Sequence, residues 1–179
     1  MSIYYVRHGE TIWNNLHKIQ GRIDIPLSET GILQAKKASE SFKDIRIDAC
    51  YSSPLRRAFE TACILTEGKN IPVRKDNRII EMNYGDFDGK QHDDPHLAKQ
   101  RLDFVSRYPN GESYLDVACR VYDFLNEIKA SQKENKNILI VAHLGIARVV
   151  QSYFTNMTND EFFHFRIDNC QILKYEISD

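Results

Sequence analysis

Arg7-His8-Gly9-Glu10-Thr11 places an imidazole directly after an apolar run and before a glycine, so the backbone can fold closely around whatever the ring touches. A neutral histidine attacks phosphorus when its other ring nitrogen donates to a carbonyl and so fixes the tautomer. Arg7 beside it offers the fork of donors that matches phosphate oxygens. Three further stretches carry complementary groups. Ser52-Ser53-Pro54-Leu55-Arg56-Arg57-Ala58 puts Arg57 in the first turn of an expected helix, where free backbone N–H groups and the helix dipole favour an anion, while Arg56 suits a solvated surface. Ala142-His143-Leu144-Gly145 brings a second histidine to a strand-to-helix junction, either to donate to a phosphate oxygen at the helix N-terminus or as a satisfied core histidine. Arg78-Ile79-Ile80-Glu81-Met82-Asn83-Tyr84-Gly85 carries Glu81 behind an apolar dipeptide. A carboxyl partly buried there has a raised pKa and can protonate a leaving alkoxide; the plainer alternative is a salt-bridging glutamate.

Elements of two kinds must bring these groups together. Ile138-Leu139-Ile140-Val141-Ala142 is continuously apolar and branched, as in a strand buried on both faces. Ile3–Val6, Ile45–Tyr51 and Ile71–Arg74 read as shorter strands, and Ile172–Ile177 alternates like a final edge strand. Helical spacing runs from Ser28 to about Phe42, with Ile32, Ala35 and Phe42 on one face. Ser53 as N-cap with Pro54 at the first position opens a helix that Gly68 can stop. Ser113-x-x-Asp116 opens another, with Leu115, Ala118, Tyr122, Leu125 and Ile128 as its stripe. A last long helix follows His143, facing Ile146, Val149, Val150 and Tyr153 inward. Strands alternating with helices predict an α/β three-layer sandwich, a mainly parallel central sheet with helices on both faces. Ligands bind such sheets at the carboxyl ends of strands, where His8 and His143 both stand.

The chain has 179 residues, no linker and no internal repeat, which predicts one domain over 1–179. Lys plus Arg (24) nearly balance Asp plus Glu (25), so charge gives no case for a nucleic-acid partner. Any cationic feature must be local. Cys50, Cys63, Cys119 and Cys170 lie far apart with no C-x-x-C pair, and read as buried thiols in a reducing compartment. Arg7 follows the start too soon for a signal peptide, and no apolar run spans a membrane; both predict a cytoplasmic protein without a membrane partner. The charged stretch Lys129–Lys136 reads as an exposed helix end and loop.

Taken together, YVRHGET (5–11), Asn14, IQGRIDIPLSETGILQA (19–35), IDACYSSPLRRAFETA (47–62), IIEMNYGDFDG (79–89), NGES (110–113) and VAHLGIAR (141–148) resemble the histidine phosphatase superfamily, also called phosphoglycerate mutase-like, in its order and over most of the chain. The resemblance implies the phosphoglycerate mutase-like fold and assigns roles. His8 is then the nucleophile phosphorylated on Nε2. Arg7, Arg57 and His143 clamp the phosphoryl group, with Asn14 as a neutral donor. Glu81 is the proton donor of the first step and the base that activates water in the second. Gln20, Gly21 and Tyr84 fall where family members contact the rest of the substrate. Two arginines and a histidine stabilise the equatorial charge that Mg²⁺ handles elsewhere, so neither metal nor cofactor is expected. Leu144 stands where the family commonly has glycine and should narrow the pocket beside the phosphate. Phe87-Asp88 replaces a frequent Trp-Glu pair, a change of packing.

Cofactor-dependent mutases of this family carry a longer basic insertion. Here only residues 90–110 separate Gly89 from Gly111, mixed in charge and read as one short helix and a lid. Hydrolysis of a small phosphate ester is therefore expected, with phosphoglycerate mutase activity or a non-catalytic phospho-ligand module as alternatives. Minimal members acting on phosphohistidine in proteins tend to lack the acid glutamate, so Glu81 favours a phosphomonoester. Members of matching size and motifs include α-ribazole phosphatases and broad-specificity phosphatases. His92 and His96 flank Asp93 and Asp94, but Pro95 interrupts a helix there and no ligand set is completed, which favours gating or surface roles over a metal.

Overall fold

The computed structural model describes residues 1–131 and 136–177. In chain order the elements are β1 (Ser2–Arg7), α1 (Ile12–Asn15), α2 (Glu29–Glu40), β2 (Ala49–Ser52), α3 (Arg56–Leu65), β3 (Val73–Lys75), α4 (Pro95–Arg101), α5 (Tyr114–Ser131), β4 (Asn137–Ala142), α6 (Leu144–Phe154), α7 (Asn159–His164) and β5 (Ile172–Glu176), with short 3₁₀ turns at Asn77–Ile79 and Gly85–Phe87. The sheet order is β3-β2-β4-β1-β5. All neighbours run parallel except β5, which pairs antiparallel with β1 at the edge.

The apolar runs explain the layers. Successive strand residues point to opposite faces. Ile3, Tyr5, Ile138, Ile140 and Ala142 join one core with α5 and α6, while Tyr4, Val6, Leu139 and Val141 join a second with Ala58, Ala62 and Leu65 of α3 and with Phe42. A strand covered on both sides has no polar positions to spare, which is why 138–142 reads as unbroken hydrophobe.

Several local expectations are corrected. The ladder of β2 begins at Ala49, because Ile47 packs into the second core before pairing starts, and β3 is shortened to Val73–Lys75. Ser53 does not cap α3; the helix begins at Arg56 after Leu55, and the Ser53 hydroxyl is used elsewhere. On α2, Gly31 and Ala35 are buried while Ile32 is exposed. On α5, Leu115 is exposed and the buried stripe runs Val117, Val121, Phe124, Leu125 and Ile128, one step round from the predicted face. Tyr153 is half-buried and donates its hydroxyl to Asn126 Oδ1. Cys50 and Cys170 are buried but Cys63 and Cys119 are exposed. Pro95 starts α4 instead of interrupting it, with Asp94 accepting from the His96 and Leu97 N–H groups. The stretch Lys129–Lys136 lies partly outside the described residues.

Candidate active site

Three neighbouring strands deliver the site. Arg7 of β1 pairs with Ala142 of β4, so His8 and His143 leave adjacent parallel strands at the same level, their ring centroids 5.1 Å apart. Ser52 of β2 pairs with Val141 on the other side of β4, and the next residue, Ser53, meets His143 Nε2 at 2.7 Å through its hydroxyl. The hydroxyl that looks like a helix cap therefore serves a histidine.

His8 is buried, and its Nδ1 donates to the Gly9 carbonyl at 2.7 Å. That bond fixes the proton on Nδ1 and leaves the Nε2 lone pair free. Burial first, then the charges of Arg57 and Arg7, push the His8 pKa well below its ordinary value, so the ring is neutral at pH 7. The turn is held from α3: the Gly9 N–H donates to Thr61 Oγ1 at 3.0 Å, and that hydroxyl donates to the Arg57 carbonyl at 2.7 Å. Asn169 donates to the His8 carbonyl at 2.8 Å. Thr61→Val keeps the shape but strands a buried N–H, at a cost of about 1–3 kcal/mol. At about 2–4 °C per kcal/mol for a domain of this size, thermal unfolding should show a Tm lowered by several degrees.

Around His8 stand donors without acceptors. Arg57 is fully buried and gives Nη1 to the Ile23 carbonyl (2.8 Å) and Nη2 to the Gly21 carbonyl (2.7 Å). Arg7 gives Nη1 to the Ile167 carbonyl at 2.8 Å. Backbone carbonyls thus clamp one edge of each guanidinium, while Arg7 Nε, Arg57 Nε and His143 Nδ1 are buried without a partner. In the tautomer where the Ser53 hydroxyl donates to His143 Nε2, the ring proton sits on Nδ1 and adds to the unpaired N–H groups. Buried donors are nearly always paired, so this convergence calls for an anionic acceptor. Asn14 commits its Oδ1 to Thr11, through N–H at 2.9 Å and hydroxyl at 3.1 Å, which leaves its NH₂ to donate.

Helix termini play a different part from the one expected. The Arg56 N–H at the start of α3 donates to Asp24 Oδ1 at 2.7 Å, and Arg56 itself pairs with Glu60 on the surface. At the start of α6 the Gly145 N–H donates to Glu81 Oε2 at 3.3 Å. Anion binding thus falls to the guanidinium groups, and the α6 terminus holds the glutamate. The other carboxylate oxygen of Glu81 accepts from the Met82 N–H at 2.8 Å. Both bonds, and Arg57, favour the ionised carboxyl, yet burial outweighs them and raises its pKa. A Cβ at Gly145 would lie 2.6 Å from Glu81 Oε1, so a larger residue there would push the carboxylate from this position.

Arg7, His8, Asn14, Gln20, Gly21, Arg57, Glu81, Tyr84 and Leu144 all line one pocket. His143 does not line it; it is fully buried beside His8. Leu144 forms part of the pocket wall, as its place after His143 suggests, and Phe87 packs edge-on against Tyr108 at 5.8 Å. His92 and His96 part company: His92 reaches the pocket beside Arg101, while His96 faces away from it. Sequence reasoning missed Lys18, Arg101, Arg148 and Arg166, which also line the pocket. Arg148 had a signal, a charge on the buried side of α6 among Ile146, Val149 and Val150. Arg166 sits in an irregular stretch whose position no periodicity fixes. Among the described residues no group of three or more His, Cys, Asp or Glu is placed to hold a metal ion.

Comparison with known proteins agrees with this geometry. The chain is 32% identical to "Phosphoserine phosphatase 1" of Hydrogenobacter thermophilus, over 94% of this chain and 83% of that one. It is 30% identical to "Adenosylcobalamin/alpha-ribazole phosphatase" of Salmonella typhimurium, over 94% of this chain and 86% of the relative. A solved mycobacterial glucosyl-3-phosphoglycerate phosphatase, in complex with VO3, superposes with a TM-score of 0.87 at 30% identity, covering 97% of this chain and 91% of that one. Residues 3–179 match the model of the histidine phosphatase superfamily (branch 1), and the chain belongs to that family as a phosphatase that works through a phosphohistidine.

Proposed function

We propose that this protein hydrolyses a small phosphorylated metabolite, a phosphomonoester, through a covalent phosphohistidine on His8, with Glu81 as the proton donor. One observation carries the reading: a neutral His8 with Nδ1 committed to a carbonyl and Nε2 free, beside the unpaired donors of Arg7, Arg57 and His143. In the first step the Nε2 lone pair attacks phosphorus, the P–O bond to the alcohol breaks, and Glu81 passes its proton to the departing oxygen. In the second, the Glu81 carboxylate takes a proton from water as that water attacks phosphorus, the P–N bond breaks, and phosphate leaves. Arg7, Arg57, His143 and Asn14 stabilise the equatorial oxygens throughout, and such charge stabilisation supplies most of the rate enhancement in phosphoryl transfer. Gln20, Gly21, Tyr84 and Leu144 contact the remainder of the substrate.

The chain acts as a single domain, and residues 90–110 serve as its lid; α4 supports this by bringing Arg101, with His92 before it, to the pocket wall. The free thiols of Cys50, Cys63, Cys119 and Cys170 fit a reducing cytoplasm. The test is phosphate release from a panel of phosphomonoesters with EDTA present, including α-ribazole phosphate, phosphoserine, sugar phosphates and p-nitrophenyl phosphate. Release that EDTA leaves unchanged is expected. Isomerisation of phosphoglycerate without release, or a loss restored only by Mg²⁺ or Zn²⁺, would overturn the assignment.

A further inference from the structure

Apart from Arg74, exposed on β3, the arginines of this chain divide into two sets. Arg22, Arg46, Arg56, Arg78, Arg107 and Arg120 are paired with acidic side chains. Among the described residues Arg7, Arg57, Arg101, Arg148 and Arg166 have no such pair, and every one of these lines the pocket. Lys18 joins them, and among the described residues Glu81 is the single acid on the wall. One phosphate at His8 occupies Arg7 and Arg57. The rest of the positive charge is then in excess.

Hydrogen bonds hold three of these groups, of which Arg101 is half-buried and Arg166 exposed. Arg148 is buried and gives Nη1 to the Tyr114 hydroxyl (3.2 Å) and Nε to the Phe165 carbonyl (3.3 Å). Arg166 donates to the carbonyls of Phe163 and Phe165. Arg101 Nη2 lies 2.9 Å from His92 Nδ1. All these partners are neutral acceptors, so they fix the guanidinium groups and leave their charge uncompensated. Desolvation is the main cause that lowers the pKa of Arg166, and the charges of Arg148 and Arg101 add to it. The pocket has a cavity volume of about 100 Å³ and opens to solvent, so whatever the substrate carries beyond its phosphate lies toward the mouth, where these cations stand.

We propose that Arg101, Arg148, Arg166 and Lys18 form a second anion site, so that the substrate is a phosphomonoester bearing another negative group, a carboxylate or a second phosphate. This rests on the phosphatase reading and narrows its substrate class. Two matched pairs test it: 3-phosphoglycerate against glycerol 3-phosphate, and fructose 1,6-bisphosphate against fructose 6-phosphate. In at least one pair the doubly anionic member should have a kcat/KM about 30-fold higher at low salt, as charge-assisted hydrogen bonds to an anion imply. Arg166→Gln and Arg101→Gln should each cut that ratio at least about fivefold. Ratios near one in both pairs, or equal losses on both members, would overturn the second site while leaving the phosphatase intact. Release of p-nitrophenolate from p-nitrophenyl phosphate reports the phosphatase separately. Should that release be absent, the phosphatase reading fails, and calorimetric titration of both pairs decides the second site by the same ratios.

Discussion

His8→Ala abolishes phosphate release, lowering kcat/KM by at least about 10⁴-fold, the scale seen when a covalent nucleophile is removed. The expectation follows from how completely the fold commits this ring. Burial and the charges of Arg57 and Arg7 keep the ring neutral against the opposing pull of the Gly9 bond, and that bond selects the Nδ1–H tautomer, so Nε2 needs no activating base to attack. Protein incubated with substrate radiolabelled in its phosphoryl group and denatured in alkaline detergent, where a phosphohistidine survives, should retain label in the wild type and none in the variant. Near-normal turnover in a folded His8→Ala protein would end the phosphohistidine mechanism. The same depressed pKa sets the acid side of the pH profile. His8 is neutral above its lowered pKa, so activity should persist well below pH 6.5, the pKa of an unperturbed histidine.

Glu81→Gln lowers kcat/KM for alkyl phosphates by about 10²–10⁴-fold, the usual range for a lost general acid. For p-nitrophenyl phosphate, whose phenolate leaves without a proton, the same constant should change by less than about tenfold. Because kcat/KM reports events through phosphorylation only, that contrast isolates the acid role. The base role should appear as a burst of nitrophenolate followed by slow turnover. Equal losses on both substrate classes would remove Glu81 from proton donation. The sign of the pH effect follows from burial. Glu81 must carry its proton to act as an acid, and its raised pKa extends that form upward from the ordinary carboxylate range. With alkyl substrates kcat/KM should therefore fall as pH rises through the Glu81 pKa, and the Gln variant should lack that limb.

Much of this site is legible in the sequence because its residues stand at strand ends. The apolar runs before His8 and His143 fix both the strands and the side of the sheet on which their ends emerge, and the family motifs supply the roles. What the sequence hides is mostly reciprocal. Ser53 looks like a helix cap by local chemistry, yet its hydroxyl meets a histidine 90 residues away. The α6 terminus looks like an anion site, yet Glu81 already engages it. The face of α5 is misread by one step because Leu115 and Val117 are both apolar, and only packing against the sheet chooses between them. Arg166 and Arg101 lie in irregular or short segments, where tertiary contacts alone decide which way a side chain turns.

The sheet order also governs when the protein can exist. β1, which precedes the other strands in the chain, pairs on one side with β4 and on the other with β5, as in Ser2 opposite Asn137 and Ser2 opposite Glu176. Until about residue 137 has emerged, the only ladder available is the short one between β2 and β3. The nascent chain must therefore carry Ile3–Val6 with both edges open until β4 has been made, and contacts this distant in sequence close slowly. A product truncated before β4 would hold His8 on a strand with no neighbours, beside no second histidine. Assembly of the phosphate site is thus coupled to completion of the sheet, and a partly made chain has no phosphoryl-transfer chemistry to misdirect.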